Sequence, residues 1–189
     1  MAKRGIQRVK YSKIVNGKYT GAKEIGTLVT FNGSPNKVEA EDWGDNRKVE
    51  SNKSVNKYNL SMELNDLAGA EYADICGHEY DAETKKVTVR STDNAPMIGI
   101  GAIGNSERSG KDVFIMKFYT NMQFSEPNDD NSTETETKDY KHTTVEGTGY
   151  PNDDNILKIE QEFDTLEAAE TALEELLKAD TDAQAEGEE

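Results

Sequence analysis

The cleanest alternation in the chain is KYNLSMELN, where Tyr58, Leu60, Met62 and Leu64 fall on one face and Asn59, Ser61 and Glu63 on the other. A period of two marks a half-buried strand. The segment DVFIMKFYTNMQF is stronger still. It sets Phe114, Met116, Phe118, Met122 and Phe124 on one face, and Val113, Ile115 and Tyr119 make the other face partly apolar, which predicts a central strand. KKVTVRS, PMIGIGAIG and ILKIEQEF predict further strands, and Asn16-Gly17 predicts a tight hairpin turn near the start. Leu28–Phe31 reads as a short strand closed by NGSPN, and KVEAEDWGDNRKVESNKS, with the single tryptophan Trp43, reads as a loop between short strands.

Two stretches change period. After Asn65, a capping residue, Leu67, Ala68, Glu71 and Ile75 share one side of a short helix that Gly77 terminates. Over 164–178, Asp164 and Glu167 form a capping-box-like start, and Leu166, Ala169, Leu173, Leu176 and Leu177 make an apolar stripe. The order of elements predicts one domain over 1–178, mainly β or α+β, with a short internal helix and a C-terminal helix. Residues 125–155 form a polar loop or arm region, and the acidic tail 179–189 is expected to be disordered.

Charge sharpens this picture. The net charge is −15, yet residues 1–23 carry seven cations, among them Arg4, Arg8 and Lys10, and no acid. Residues 162–189 hold 11 acids against Lys178 alone. So acidic a chain is a poor binder of phosphate backbones, and its basic beginning is a candidate contact for an anionic partner surface. Leu, Ile, Val and Phe total 34 of 189 residues, a lean core that predicts completion by partner subunits. The lone cysteine, Cys76, rules out an internal disulfide and suits a reducing compartment. Residues 1–15 lack a continuous apolar stretch and nothing resembles a membrane span, so the expectation is a soluble protein made in the cytoplasm, with no membrane partner.

Candidate chemistry is sparse. Gly99, Gly101 and Gly104 spell GxGxxG, but a dinucleotide site needs a helix next, and here a turn and a strand follow. They read instead as a glycine-rich strand where another backbone packs closely. Cys76, His78 and Glu79 are three potential metal ligands beside a helix end, fewer than a closed zinc site requires, and read as a buried cysteine beside a loop histidine. PNDDN occurs at Pro127–Asn131 and Pro151–Asn155. Counted from Asp129, the positions where a calcium loop needs glycine and glutamate hold Glu134 and Tyr140, so the repeat reads as two turns. Between them, STETET is compatible with an edge strand or a projecting arm, with Glu134 and Glu136 as candidate interface residues. No nucleophile-and-base set is present, so no enzyme activity, cofactor or metal is predicted.

The opening GIQRVKYSKIVNGKY, then KVEAEDWGDNRKVESN with KYNLSMELNDLAGAEYADICG, then DVFIMKFYTNMQFSEP, a Thr/Glu-rich stretch and a closing FDTLEAAETALEEL come in a telling order. In this order and spacing, across most of 1–178, the chain resembles the major tail proteins of long, non-contractile-tailed phages (siphophages) of Gram-positive bacteria. The resemblance implies a β-sandwich-like or barrel-like core with a flanking helix, whose subunits form six-fold rings that stack into a hollow tube of the virion. It implies self-contacts, a tape measure protein inside the tube, initiator and terminator proteins at its ends, and DNA only in transit. Arg4, Arg8 and Lys10 then become candidates for contact with an adjacent subunit, and Glu134 and Glu136 for the lumen or a subunit edge. The alternatives are a free-standing ligand- or calcium-binding β-domain and a head–tail connector that stops at one ring.

Overall fold

The structure is a computed structural model that describes residues 2–44, 47–128 and 142–178, with side chains over 4–38, 54–128 and 142–178. In chain order its elements are β1 (Ala2–Val15), β2 (Lys18–Tyr19), β3 (Lys23–Glu24), β4 (Leu28–Gly44), β5 (Arg47–Leu64), α1 (Gly69–Cys76), β6 (Glu79–Asp81), β7 (Lys86–Thr88), β8 (Ile98–Arg108), β9 (Lys111–Phe124), β10 (Thr143–Tyr150), β11 (Lys158–Phe163) and α2 (Leu166–Leu176). The fold is mainly β, with one large antiparallel sheet in the order β2-β1-β8-β9-β10-β5-β4. Asn16 and Gly17 are both at positive φ and close the β1–β2 hairpin, as their residue types require.

The expected central strand is central. One edge of β9 pairs with β8 along its length; the other is shared, with Phe114–Tyr119 pairing β11 and Asn121–Phe124 pairing β10. Its apolar residues, however, do not all share a face. Ile100 pairs with Tyr119 and Ile98 with Met122, so three residue steps of β9 oppose two of β8. This bulge inverts the alternation. Before it, Met116 and Phe118 pack under α2 with Ile103, Ala169, Leu173 and Leu177. After it, Met122 and Phe124 point into the other core, with Tyr11, Phe31, Leu60, Met62, Leu64 and Ile98. That core draws on both β1 and β4, so the sheet curls around it, and Ile75 and Cys76 of α1 pack against it.

Four other elements differ from expectation. β4 does not end at NGSPN but continues to Gly44, and β5 begins at Arg47, so the expected loop is a long paired ribbon. Within the polar region 125–155, Thr143–Tyr150 is an interior strand between β9 and β5. It fits there with little apolar content because Gly147 and Gly149 lie against Phe124 and Met122, whose side chains fill the space. α1 starts after Ala68 rather than Asn65, with Glu71 reaching back to accept from the Ala68 and Gly26 N–H groups. α2 is capped by Thr165, not Asp164; its hydroxyl accepts from the Ala168 N–H at 3.3 Å.

The GxGxxG glycines all lie in β8, and Gly101 shows why one is there. A Cβ on it would stand 2.5 Å from Leu173 Cδ1 and 2.9 Å from the Lys117 carbonyl oxygen. The glycine lets α2 sit down on the sheet. Gly101→Val is therefore expected to destabilise the fold by about 1–3 kcal/mol in denaturant titration. Gly5→Ala, at a position with nothing within 4 Å, should be close to neutral.

Candidate functional site

The basic first strand is the first candidate surface. Arg8 has φ 56, at a register shift between Gln7 and Lys10 where β1 holds one residue more than β8. Past this bulge Lys10 lies opposite Gly101, beneath α2. Arg8 Nε then meets Glu170 Oε1 at 2.7 Å, and the Lys10 side chain, 12% exposed, sets its ammonium against Glu174. Arg4 pairs with Glu107 and Asp112 at the β8–β9 turn, the latter at 3.2 Å. The basic beginning and the acidic α2 thus meet within one chain. Glu134 and Glu136 lie outside the described residues.

Lys13 and Lys23 converge on α1. The Asp74 carboxylate accepts from Lys13 at 2.6 Å, from Lys23 at 2.9 Å and from the Tyr11 hydroxyl at 2.9 Å. Burial alone would raise its pKa, but these three donors outweigh burial and hold it below its ordinary value. Burial and the adjacent Asp74 together raise the Tyr11 phenol pKa, so it stays protonated and donates.

The second candidate surface is the β4–β5 ribbon. Its base is backed by Phe31, Leu60, Met62 and Leu64. Beyond that, residues 32–38 and 54–56 are exposed without alternation, so neither face of the ribbon is covered there. Pairing nonetheless runs on from Asn36↔Lys57 to Gly44↔Arg47. Nine paired residues at ~3.3 Å each carry the ribbon roughly 30 Å past its supported base. A two-stranded hairpin with nothing behind it is marginal in water. The outer edge of β4 pairs with no described strand, leaving backbone donors and acceptors for another chain. Val38 and Val55 are exposed on the ribbon, and Trp43 lies near its end, opposite Lys48.

The metal-ligand trio is only partly assembled. Cys76 and His78 come together, but Glu79 turns away to pair with Arg90, and Glu126 takes its place. Glu126 is 48 residues from His78, a proximity that no sequence spacing signals. The second PNDDN copy is a turn: Asn152 Oδ1 accepts from the Asp154 and Ile156 N–H groups, and Asn155 is at positive φ. Of the first copy only Pro127 and Asn128 are described. Among the described residues no helix is long and apolar enough to cross a membrane. No protein-family model matches the chain, and no curated protein matches it either.

Asp74→Asn should remove about 1–3 kcal/mol of stability at neutral pH, since three donors lose a charged acceptor. The folded carboxyl titrates below its ordinary value of 3.8, so its contribution is complete above that pH and is lost as the pH falls through the folded value. Denaturation of the native protein and the variant, compared at neutral pH and near pH 2, should show the difference shrinking in acid.

Proposed function

We propose that the chain is a self-assembling structural protein, the major tail-tube subunit of a long, non-contractile phage tail. The observation that supports this reading best is the ribbon. Evolution of a stable monomer would trim a ~30 Å hairpin that leaves its base bare on both faces over residues 32–38 and 54–56, whereas a subunit that lays it across its neighbour covers it on assembly. In a ring, the open edge of β4 pairs with a strand of the adjacent copy and continues the sheet from subunit to subunit. A head-to-tail contact of this kind closes into rings when the rotation permits, and such rings stack.

The other features fit the same reading. The net charge of −15 keeps a conduit from retaining DNA by counterion release, so DNA passes without specific binding. The tape measure protein inside the tube and the initiator and terminator proteins at its ends are the partners this function requires. Residues 1–23 contribute a ring-to-ring contact through Arg4, whose side chain remains 53% exposed beside its acidic partners.

Negative-stain electron microscopy of the concentrated protein tests the assignment. Hollow tubes or stacked rings of uniform width are expected, with purified initiator complex added if nucleation is slow. Single closed rings would favour a connector. Monomers that persist with initiator present, and that calcium stabilises, would favour the binding-domain alternative.

A second experiment isolates the ribbon. Replacing residues 37–56 by Asn-Gly joins the paired Asn36 and Lys57 through a two-residue turn. This variant should keep the melting temperature of the parent monomer within a few degrees and form no tubes.

A further inference from the structure

We infer that Cys76, His78 and Glu126 form a binding site for one divalent metal ion of the zinc class. One ligand atom from each lies within 4.8 Å of the others. The fold brings them together from two segments of the chain. Cys76 is the last residue of α1, and Gly77, at φ 79, turns the chain so that His78 doubles back beside it. Glu126 follows the end of β9.

The histidine carries the inference. Its side chain is only 5% exposed, and both ring nitrogens face carboxylates at 2.8 Å: Nδ1 faces Asp93 Oδ2, and Nε2 faces Glu126 Oε2. Asp93 is itself fixed, since it also accepts from the Arg90 N–H at 2.9 Å. With Asp93 Oδ2 taken up by both Nδ1 and the Arg90 N–H, Nε2 is the ring nitrogen left to bind a metal. Nε2 and Glu126 Oε2, 2.8 Å apart, share a proton in the metal-free protein, and a metal ion taking that proton's place would gain both atoms as ligands. A carboxylate that orients an imidazole whose other nitrogen binds metal is the usual outer-shell arrangement of zinc sites.

The Cys76 sulfur supplies a third ligand, and the metal displaces its proton to solvent on binding. Thiolate, imidazole and carboxylate together favour zinc or cobalt over calcium or magnesium. With metal–ligand distances of about 2.0–2.3 Å, the ligand atoms stand roughly 3.3–3.8 Å apart. The Nε2–Oε2 pair must therefore open by about half an ångström. Glu126 is 51% exposed and can make that shift. Its second oxygen accepts from the Tyr72 hydroxyl, whose ring also packs on His78, 5.1 Å between centroids. Three protein ligands leave one position for water. The ion would tie the chain leaving β9 to the end of α1.

Titration of the metal-free protein with cobalt(II), then zinc(II), tests this. One equivalent of cobalt should produce sulfur-to-metal charge-transfer absorption and the intense visible bands of tetrahedral coordination, and one equivalent of zinc should abolish both. Cys76→Ala should remove the charge-transfer band. Asp93→Asn should weaken binding about 10–100-fold through loss of orientation, and Glu126→Gln should weaken it further. Glu126 is exposed, so that variant tests the site even if a change at the buried Cys76 or His78 prevents folding; circular dichroism of each metal-free variant checks this. Absence of saturable binding, or binding without the sulfur band and indifferent to Glu126→Gln, would overturn the assignment and leave His78 and Glu126 sharing a proton.

Discussion

Strand β9 is paired along both edges and buries side chains on both faces, and the rest of the molecule takes its position from that strand. Its bulge between Tyr119 and Met122 is the deciding detail. Without it, Met122 and Phe124 would point to the same side as Met116 and Phe118, crowding the layer beneath α2 and emptying the curled core. A single extra residue thus lets one strand serve two cores. Thr120, within the bulge, directs its hydroxyl to the Ile156 carbonyl at 2.7 Å, fixing the chain that leads into β11. The two partner strands along the second edge meet end to end at this point.

Around that centre, charge holds the periphery. Glu170 and Glu174 of α2 draw in Arg8 and Lys10, and Asp74 of α1 draws in Lys13 and Lys23. The α2 pairs, each with an exposed partner, contribute little, about 0–1 kcal/mol, so they orient that helix more than they stabilise it, whereas the half-buried Asp74 cluster contributes more. Their consequence for assembly is negative: cations satisfied within the chain offer little net positive charge to an anionic partner. The weight of the proposed subunit contact therefore falls on backbone edges and on the ribbon.

Much of this was legible from local pattern. The alternation of Leu60, Met62 and Leu64, the stripe of Leu166, Ala169 and Leu173, the Asn16-Gly17 turn and the Gly77 cap each act through neighbours close in sequence. What could not be read depends on partners distant in sequence. β10 shows little apolar signal because, of its three inward positions, only Val145 is apolar and the other two are glycines under Phe124 and Met122. Where the ribbon leaves its base, residues 32–38 and 54–56 are exposed on both faces, so no buried face marks those strands. The β9 bulge is set by register against β8, and Glu126 reaches His78 only through the tertiary fold. Of the candidate site residues, Arg4, Arg8 and Lys10 were identifiable as a charge cluster, but their partners Glu107, Glu170 and Glu174 were not.

We propose that the curled double-core domain is complete in one chain while its ribbon is completed by another. Hydrogen exchange measured on dilute monomer and on concentrated, assembled protein tests this most directly, because local opening reports local stability. In the monomer, amides over 36–57 should exchange quickly while those of β8, β9 and residues 58–64 stay protected. On assembly the ribbon amides should become protected and the others change little. A ribbon already fully protected in the monomer, or one still unprotected within tubes, would contradict the account.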